Sequence, residues 1–357
     1  MPAALALDGD LVFLLRALID LESVSGRGRA IADAVEQALR PYGHLEVVRD
    51  GNVVLARTAL GRADRVVIAG HLDTGPIAGN VPAWTTGSGD DPVVWGRGAC
   101  DMKGGVAVQL AAAAALPAPR RDVTWIFYDN EEVEESRNGL ARLAREQPRW
   151  LDGSFAVLCE PTNAQIEGGC QGTLRAEVSL RGVAAHSARA WKGHNAIHDA
   201  GEVLRRLAAY QPRQIEVDGL TYREGLNAVK IAGGIAGNVI PDTCTIEVNY
   251  RFAPNKTPEQ AADHVREVLD GFQVVVTDAA GGARPGLDSP AAAEFLAAMG
   301  GQASAKFGWT DVARFAARGV PAVNFGPGDP SLAHADDERC PSADLRRCRD
   351  ALIAWLS

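Results

Sequence analysis

Apolar and polar positions along this 357-residue chain change period twice. From the N-terminus to about Pro161, short apolar runs such as VVIAG alternate with helical stretches, GRAIADAVEQALRPYG and GVAVQLAAAAALP. That alternation predicts an α/β sheet with helices on its faces. Between Gly172 and Asp278 the order becomes strand (TLRAEVSLRG), helix (HNAIHDAGEVLRRLAAY), two strands (GLNAVKIAGG and TCTIEVNYRF), helix (PEQAADHVREVLDG) and strand (FQVVVTD). This βαββαβ order predicts a ferredoxin-like sandwich, and the strict alternation in TLRAEVSL and CTIEVNYRF predicts strands that bury one face only. After Gly281 the pattern returns to helix, strand and loop, and it closes on the amphipathic helix SADLRRCRDALIAWLS. The expected organisation is therefore a first domain in two parts, residues 1–171 and 281–357, interrupted by an α+β insert over residues 172–280. The alanine run in 111–115 reads as helix, not linker.

Composition narrows the class of function. A chain of this length exceeds what one hydrophobic core usually serves, and 46% hydrophobic with 23% charged residues is ordinary for a globular protein. A formal net charge of −9 argues against nucleic acid as a partner, because affinity there depends on neutralising phosphates. The opening MPAALALDGDLVFLL lacks the basic region of a secretory signal, and no apolar run reaches the 18 or more residues of a membrane span, so a cytoplasmic protein with no membrane partner is expected. The six cysteines, Cys100, Cys159, Cys170, Cys244, Cys340 and Cys348, show no CxxC spacing and read as reduced thiols. No G-x-S-x-G elbow, P-loop or G-x-G-x-x-G opening a helix occurs, which removes serine hydrolase, NTPase and dinucleotide chemistry.

Candidate chemistry sits at the ends of apolar runs. His71 leaves the C-terminal end of VVIAG, the edge where open α/β sheets place their ligands. Asp73, two residues on, is placed for its carboxylate to hold one imidazole nitrogen and free the other for metal. Asp101 opens a turn loosened by Gly104 and Gly105 before an Ala-rich helix, so its carboxylate sits beside a helix N-terminus, and a carboxylate there can bridge two cations. VTWIFYDNEEVEE supplies Glu131 and Glu132, FAVLCEPT supplies Glu160, and VPAVNFGPGDPSLAHADDE ends its loop at His334. Neighbours on an extended chain face opposite ways, so Glu131 and Glu132 are expected to divide metal binding and proton handling between them. Taken singly, His71 could be a satisfied core histidine, Asp101 an N-cap and Glu131–Glu135 a solvated helix start. His194 and His198 stand four apart, but HNAIH lacks the glutamate beside the first histidine that a zincin motif needs; these two, with His44 and His264, read as surface or packing residues.

The pieces GHLDT, GRGACDMKGG, DNEEVEE, LCEPT, GVAAHSA, GNVIPD, NYRF and LAHADDE occur in that order from about Val66 to Glu338. In them the chain resembles the M20 family of di-zinc amidohydrolases and exopeptidases, and within it the succinyl-diaminopimelate desuccinylases. The resemblance implies a di-zinc exopeptidase-like catalytic domain with an inserted lid and dimerisation domain. It implies that His71, Asp101 and Glu160 hold one Zn2+ and that Asp101, Glu132 and His334 hold the other, with Co2+ or Mn2+ able to substitute. Glu131 would be the general base and Asp73 would orient His71; family members often have a cis peptide at the position of Asp101–Met102, which the sequence leaves open here. His186, in GVAAHSA, would reach the site of a neighbouring subunit and stabilise the oxyanion, which implies a homodimer formed through the lid. Arg175, Asn238 and Arg251 would lie near the substrate, with Arg251 best suited to grip a carboxylate by its bidentate fork. Gly326 would let main chain approach the substrate closely. The implied reaction is hydrolysis of a small acylated amino acid, N-succinyl-LL-2,6-diaminopimelate, to succinate and LL-2,6-diaminopimelate on the way to lysine and cell-wall precursors. Acetylornithine deacetylase, aminoacylase and dipeptidase activities share the ligand set and remain the alternatives, separated by whether the acyl pocket needs a cation. The chain departs from the family pattern in having Asn130 before its Glu-Glu pair and Val133 after it; neither change removes a ligand.

Overall fold

The computed structural model describes residues 5–87, 89 and 91–357. The chain is mixed α/β and divides into two compact units, one of Met1–Gly168, Gly286–Ser304 and Arg314–Ser357, the other of Gly169–Pro285 and Ala305–Ala313. The second unit thus recruits a short segment, Ala305–Ala313, from beyond the expected insert.

The first unit is built on an eight-stranded sheet. Its strand order is Glu46–Asp50, Val53–Arg57, Asp122–Tyr128, Arg65–His71, Phe155–Leu158, Ala322–Asn324, Ile166–Gly168 and Ala303–Ala305. The four strands from Asp122–Tyr128 to Ala322–Asn324 run parallel, with His71 opposite Tyr128 and Leu158 opposite both Ala69 and Asn324. Their C-terminal ends therefore share one edge, and the chain leaves that edge at His71, before Glu131, before Glu160 and toward His334. All seven residues of Asp122–Tyr128 are buried, including the polar Asp122 and Thr124, the continuous burial expected of a strand covered on both faces. The helix Lys103–Ala115 is buried along its first eleven residues. Its alanines let it lie close to the helices Leu11–Asp20 and Ser342–Leu356, which it contacts. Phe295 anchors an aromatic cluster under the sheet, 4.8 Å from Trp355, 5.4 Å from Phe325 and 5.6 Å from Phe155 between ring centroids.

The second unit holds a four-stranded antiparallel sheet in the order Gly225–Gly233, Thr243–Phe252, Gly172–Arg181, Gln273–Ala280. Numbered along the chain, that order is 2-3-1-4, the arrangement of the expected ferredoxin-like sandwich. Leu174, Ala176, Val178 and Leu180 alternate with Arg175, Glu177 and Arg181, and the inward set packs with Ile246, Val248, Tyr250 and Phe252 beneath two helices. Those helices, Ala196–Ala209 and Pro258–Val268, start at defined caps. Asn195 accepts from the N–H groups of Ile197 and His198, and Thr257 with Gln260 forms a capping box ahead of Pro258. The first helix therefore begins after His194, not at it. His194 turns instead to Asp199, 2.6 Å away, so the spacing of His194 and His198 does not form a helical pair. A hairpin, Gln214–Val217 with Leu220–Arg223, is additional to the expected elements.

Among the described residues, all six cysteines are unpaired and buried. No helix among them is long and apolar enough to cross a membrane.

Candidate metal centre

His71 is the last residue of its strand and is buried. Its Nδ1 donates to the main-chain oxygen of Asp73 at 2.9 Å, and its Nε2 faces Asp101 Oδ1 at 3.2 Å. The tautomer is therefore set mainly by the Asp73 carbonyl, not by its carboxylate as the sequence suggested; the nearer carboxylate oxygen stands 3.7 Å from Nδ1. The reason lies in the backbone. The Asp73 side chain turns toward the Glu-Glu pair and accepts from the N–H of Glu131 at 3.0 Å, the N–H of Glu132 at 3.3 Å and the Ser25 hydroxyl at 2.7 Å.

Asn130 makes that approach possible. Its φ is 59°, a left-handed conformation that asparagine tolerates better than most side chains. Its Oδ1 accepts from Gly26 N–H at 2.7 Å and its Nδ2 donates to Asp129 at 2.9 Å. The departure from the family pattern at this position thus meets a local backbone requirement.

Asp101 ends a turn whose Asp101–Met102 peptide is cis. Its two oxygens face different imidazoles: Oδ1 faces His71, and Oδ2 lies 3.5 Å from His334 Nε2. His334 Nε2 also lies 2.8 Å from Glu132 Oε2. Two sets of potential donors result, His71 with Asp101 and Glu160, and Asp101 with Glu132 and His334, the donor atoms of each lying within 4.8 Å of one another. Asp101 belongs to both sets and Glu131 to neither.

The electrostatics follow from that crowding. Burial opposes charge on Asp101, but hydrogen bonds from His334 and His71 outweigh it and hold its carboxyl well below the usual range. Burial likewise opposes charge on His71, yet Asp101, Glu160, Glu131 and Asp73 together raise its pKa well above the ordinary value. Hydrogen bonds to Asp101 and Glu132 push His334 up to about 10. Imidazole and carboxylate donors, three to a set and sharing one bridging carboxylate, fit a pair of divalent cations with open coordination positions. Thiolates take no part: burial pushes up the thiols of Cys100 and Cys159, the residues just before Asp101 and Glu160.

Gly326 is a point of close approach between main-chain segments. A Cβ there would lie 2.4 Å from the Cys159 oxygen and 2.5 Å from the Glu160 oxygen. The residue exchanges hydrogen bonds with Thr162, donating to its Oγ1 and accepting from its N–H. Gly326 lets two chain segments close behind Glu160 and is buried there.

The remaining expected site residues belong to the second unit. Arg175 and Arg251 share the helix-free face of the sheet, since Arg175 pairs with Asn249 and Arg251 with Thr173. Burial, reinforced by the charge of Arg175, lowers the pKa of Arg251. His186 and Asn238 are brought together, as Ser187 N–H donates to the Asn238 oxygen at 2.9 Å. His186 Nδ1 accepts from Ala188 N–H at 3.0 Å, so in the neutral ring the proton resides on Nε2.

Sequence reasoning did not single out Lys103 or Glu338. Lys103 is buried and donates to the Leu21 oxygen at 2.8 Å; burial lowers its pKa to about 7 although nearby carboxylates, Glu338 foremost, act to raise it. Glu338 reads as one acid in the run ADDE, and nothing but its burial separates it from Asp336 and Asp337.

Comparison with known proteins adds to this geometry. The sequence profile of Peptidase family M20/M25/M40 matches residues 67–357. A Mycobacterium tuberculosis chain with the provisional name succinyl-diaminopimelate desuccinylase DapE is 53% identical over 355 residues, 99% of each chain. The succinyl-diaminopimelate desuccinylase of Corynebacterium glutamicum is 46% identical over 360 residues, covering 98% of this chain and 96% of that one. The crystal structure of a tripeptidase from Staphylococcus aureus superposes with a TM-score of 0.78 at 18% identity, over 99% of this chain and 98% of the other, a likeness of fold.

Proposed function

Because the chain belongs to Peptidase family M20/M25/M40, we propose that it is a two-zinc amidase that hydrolyses N-succinyl-LL-2,6-diaminopimelate to succinate and LL-2,6-diaminopimelate, a step toward lysine and meso-diaminopimelate. One observation carries the chemistry: Asp101 presents one oxygen to each of two donor sets built from imidazole and carboxylate. Near full-length identity to proteins bearing the desuccinylase name supports the substrate.

His71, Asp101 and Glu160 would hold one Zn2+, and Asp101, Glu132 and His334 the other, with Co2+ or Mn2+ as substitutes. Two such ions, when bound, acidify a water and polarise the scissile carbonyl. Glu131, outside both donor sets and held at its main chain by Asp73, takes the proton from the attacking water and returns it to the leaving amine. His186 of the partner subunit donates its Nε2 proton to the oxyanion that forms on the amide carbon. Arg175 and Arg251, two guanidiniums on one open sheet face, supply cationic charge for the distal carboxylate of a succinyl group, and Asn238 contributes beside His186. An acetyl group has no such carboxylate, which separates this reading from acetylornithine deacetylase or aminoacylase.

The homodimer follows from the same reading. Gly225–Gly233 is an edge strand whose last seven residues are exposed, with Val229 at 56% and Ile231 at 49%. Ile197 and Leu204 of the helix Ala196–Ala209 are exposed as well. An unpaired apolar edge is a template for another strand, and a second copy pairing there is the arrangement we propose. Six unpaired thiols suit the cytoplasm.

The zinc-loaded protein should be assayed on N-succinyl-LL-diaminopimelate and N-acetylornithine side by side, with and without chelator. A chelator-sensitive preference of at least about 100-fold in kcat/KM for the succinyl substrate is expected, equivalent to roughly 2.7 kcal/mol of transition-state binding. Equal or reversed rates would keep the amidase and reject the substrate.

A further inference from the structure

Glu338 follows His334 by four residues, belongs to neither donor set, and is only 1% exposed. Its Oε1 accepts from the main-chain N–H groups of Cys100 and Asp101, both at 3.0 Å, and from the Cys100 thiol at 3.6 Å. Its Oε2 accepts from Gly98 N–H and from Arg97 Nη1, each at 3.0 Å. Main-chain N–H groups converging in this way form the kind of concavity that elsewhere captures an anion from solution. Here the anion is a side chain of the same protein, delivered by the loop that carries His334.

Arg97, also buried, extends the grip. Its Nε donates to the Pro76 oxygen at 2.8 Å and its Nη1 to the oxygen of Ala335, the residue after His334, at 3.2 Å. Gly96 N–H donates to the main-chain oxygen of Glu338 at 3.0 Å, and Asn80 Nδ2 to that of Asp336 at 3.3 Å. Three segments therefore meet at one buried ion pair: the stretch after Asp73, the turn bearing Asp101 and the loop bearing His334.

The two donor sets differ in what else holds them. His71 and Glu160 are buried and follow adjacent parallel strands of one sheet. His334 sits on an irregular loop at φ 65°, with 61% of its side chain exposed. His334 itself lies on no strand; antiparallel pairing of Arg339–Pro341 with Val93–Trp95 ties together the chain just after Glu338 and the chain just before Gly96, and the Glu338 contacts carry that register on to the Asp101 turn.

We propose that Glu338 is a positioning residue that registers the His334 loop against the Asp101 turn, and so controls metal occupancy of the Asp101, Glu132 and His334 set while leaving the His71, Asp101 and Glu160 set nearly untouched. The inference rests on the assignment of both sets as metal sites. Glu338→Gln preserves shape but turns an amide NH2 toward N–H donors, so either the three contacts on one oxygen or the two on the other lose their acceptor.

Metal-free wild type, Glu338→Gln and His334→Ala should be titrated with zinc, with circular dichroism and thermal unfolding to verify the fold. Wild type is expected to bind two zinc ions. Glu338→Gln is expected to hold the first within about 3-fold of wild type and the second at least about 30-fold more weakly, approaching His334→Ala, in the range that partners of metal ligands command. Glu338→Asp, which keeps the charge, should recover part of that loss. Unchanged binding of both ions by Glu338→Gln, or equal weakening of both, overturns the proposal while leaving the metal assignment in place. Fewer than two zinc ions on wild type overturns the assignment itself and the proposal with it. Should Glu338→Gln fail to fold, Arg97→Lys decides: it loses the contacts to Pro76 and Ala335, and selective weakening of the second zinc by about 5-fold supports the role, whereas unchanged binding refutes it.

Discussion

Glu131 and Glu132 are neighbours on the chain and stand in different relations to the donors, because Glu132 lies 2.8 Å from His334 and shares a donor set with it, while Glu131 belongs to neither set. If Glu131 is the base, Glu131→Gln should lower kcat by about 10²–10⁴-fold with zinc content unchanged by elemental analysis; loss of zinc instead would make it a ligand. Asp73 carries both main-chain N–H groups of the pair on one carboxylate. Asp73→Ala should therefore cost about 10–100-fold in activity while His71, whose tautomer rests on a carbonyl that the substitution retains, still binds metal. Three members of the donor sets, His71, Glu132 and Glu160, were legible in the sequence, because each stands at the end of an apolar run. The partner of the His71 ring was not, since the choice between the carbonyl and the carboxylate of Asp73 depends on a backbone path the sequence does not reveal. Gly326 was legible as a close approach, but the neighbour it approaches is the main chain behind Glu160, contributed by a strand far away in sequence.

At the scale of elements, strict alternation identified Gly172–Arg181 and Thr243–Phe252, and the capping residues explain where the helices begin. The hairpin Gln214–Val217 with Leu220–Arg223 had a readable signal: Asp218-Gly219 lies between alternating residues, and both take positive φ, 49° and 81°, as a type I′ turn requires. Just after that hairpin, Glu224 is buried and accepts from Lys256 at 2.6 Å, Tyr250 and Ala253 N–H at 2.9 Å, and Arg213 at 3.0 Å. Burial would raise its pKa, but these partners, Lys256 foremost, hold it below the usual range. A carboxyl depressed in the folded state adds stability above its unfolded pKa of about 4.3 and loses it as pH falls through the folded value. The second unit should lose stability on acidification below about pH 5. Glu224→Gln should be destabilised at pH 7 by about 3–5 kcal/mol, as one partner removed from a buried charge network implies, and should show a smaller further loss than wild type as the pH is taken from about 5 to about 2 by calorimetry. Parallel pH profiles for the two proteins would refute this linkage.

For the whole molecule, the parallel strands with a shared C-terminal edge were legible from apolar runs that each end in a candidate donor. The recruitment of Ala305–Ala313 into the second unit was not, because it depends on contacts such as Trp309 Nε1 to the Gly281 oxygen at 3.1 Å and the Cys170 thiol to the Thr310 oxygen at 3.6 Å, which no local pattern encodes. If His186 serves a partner's site, the active species is the dimer. Val229→Glu combined with Ile231→Glu should give a monomer by analytical ultracentrifugation, with two zinc ions retained and turnover reduced by about 10²–10³-fold, the cost of one oxyanion donor. A fully active monomer would remove His186 from the mechanism. The central claim, that Asp101 joins two metal ions, is tested most directly by anomalous diffraction at the zinc edge on crystals of the zinc-loaded protein. The account predicts two peaks about 3.5–4 Å apart, one beside His71 and Glu160, the other beside Glu132 and His334, with Asp101 touching both; a single peak, or a pair that Asp101 does not bridge, would contradict it.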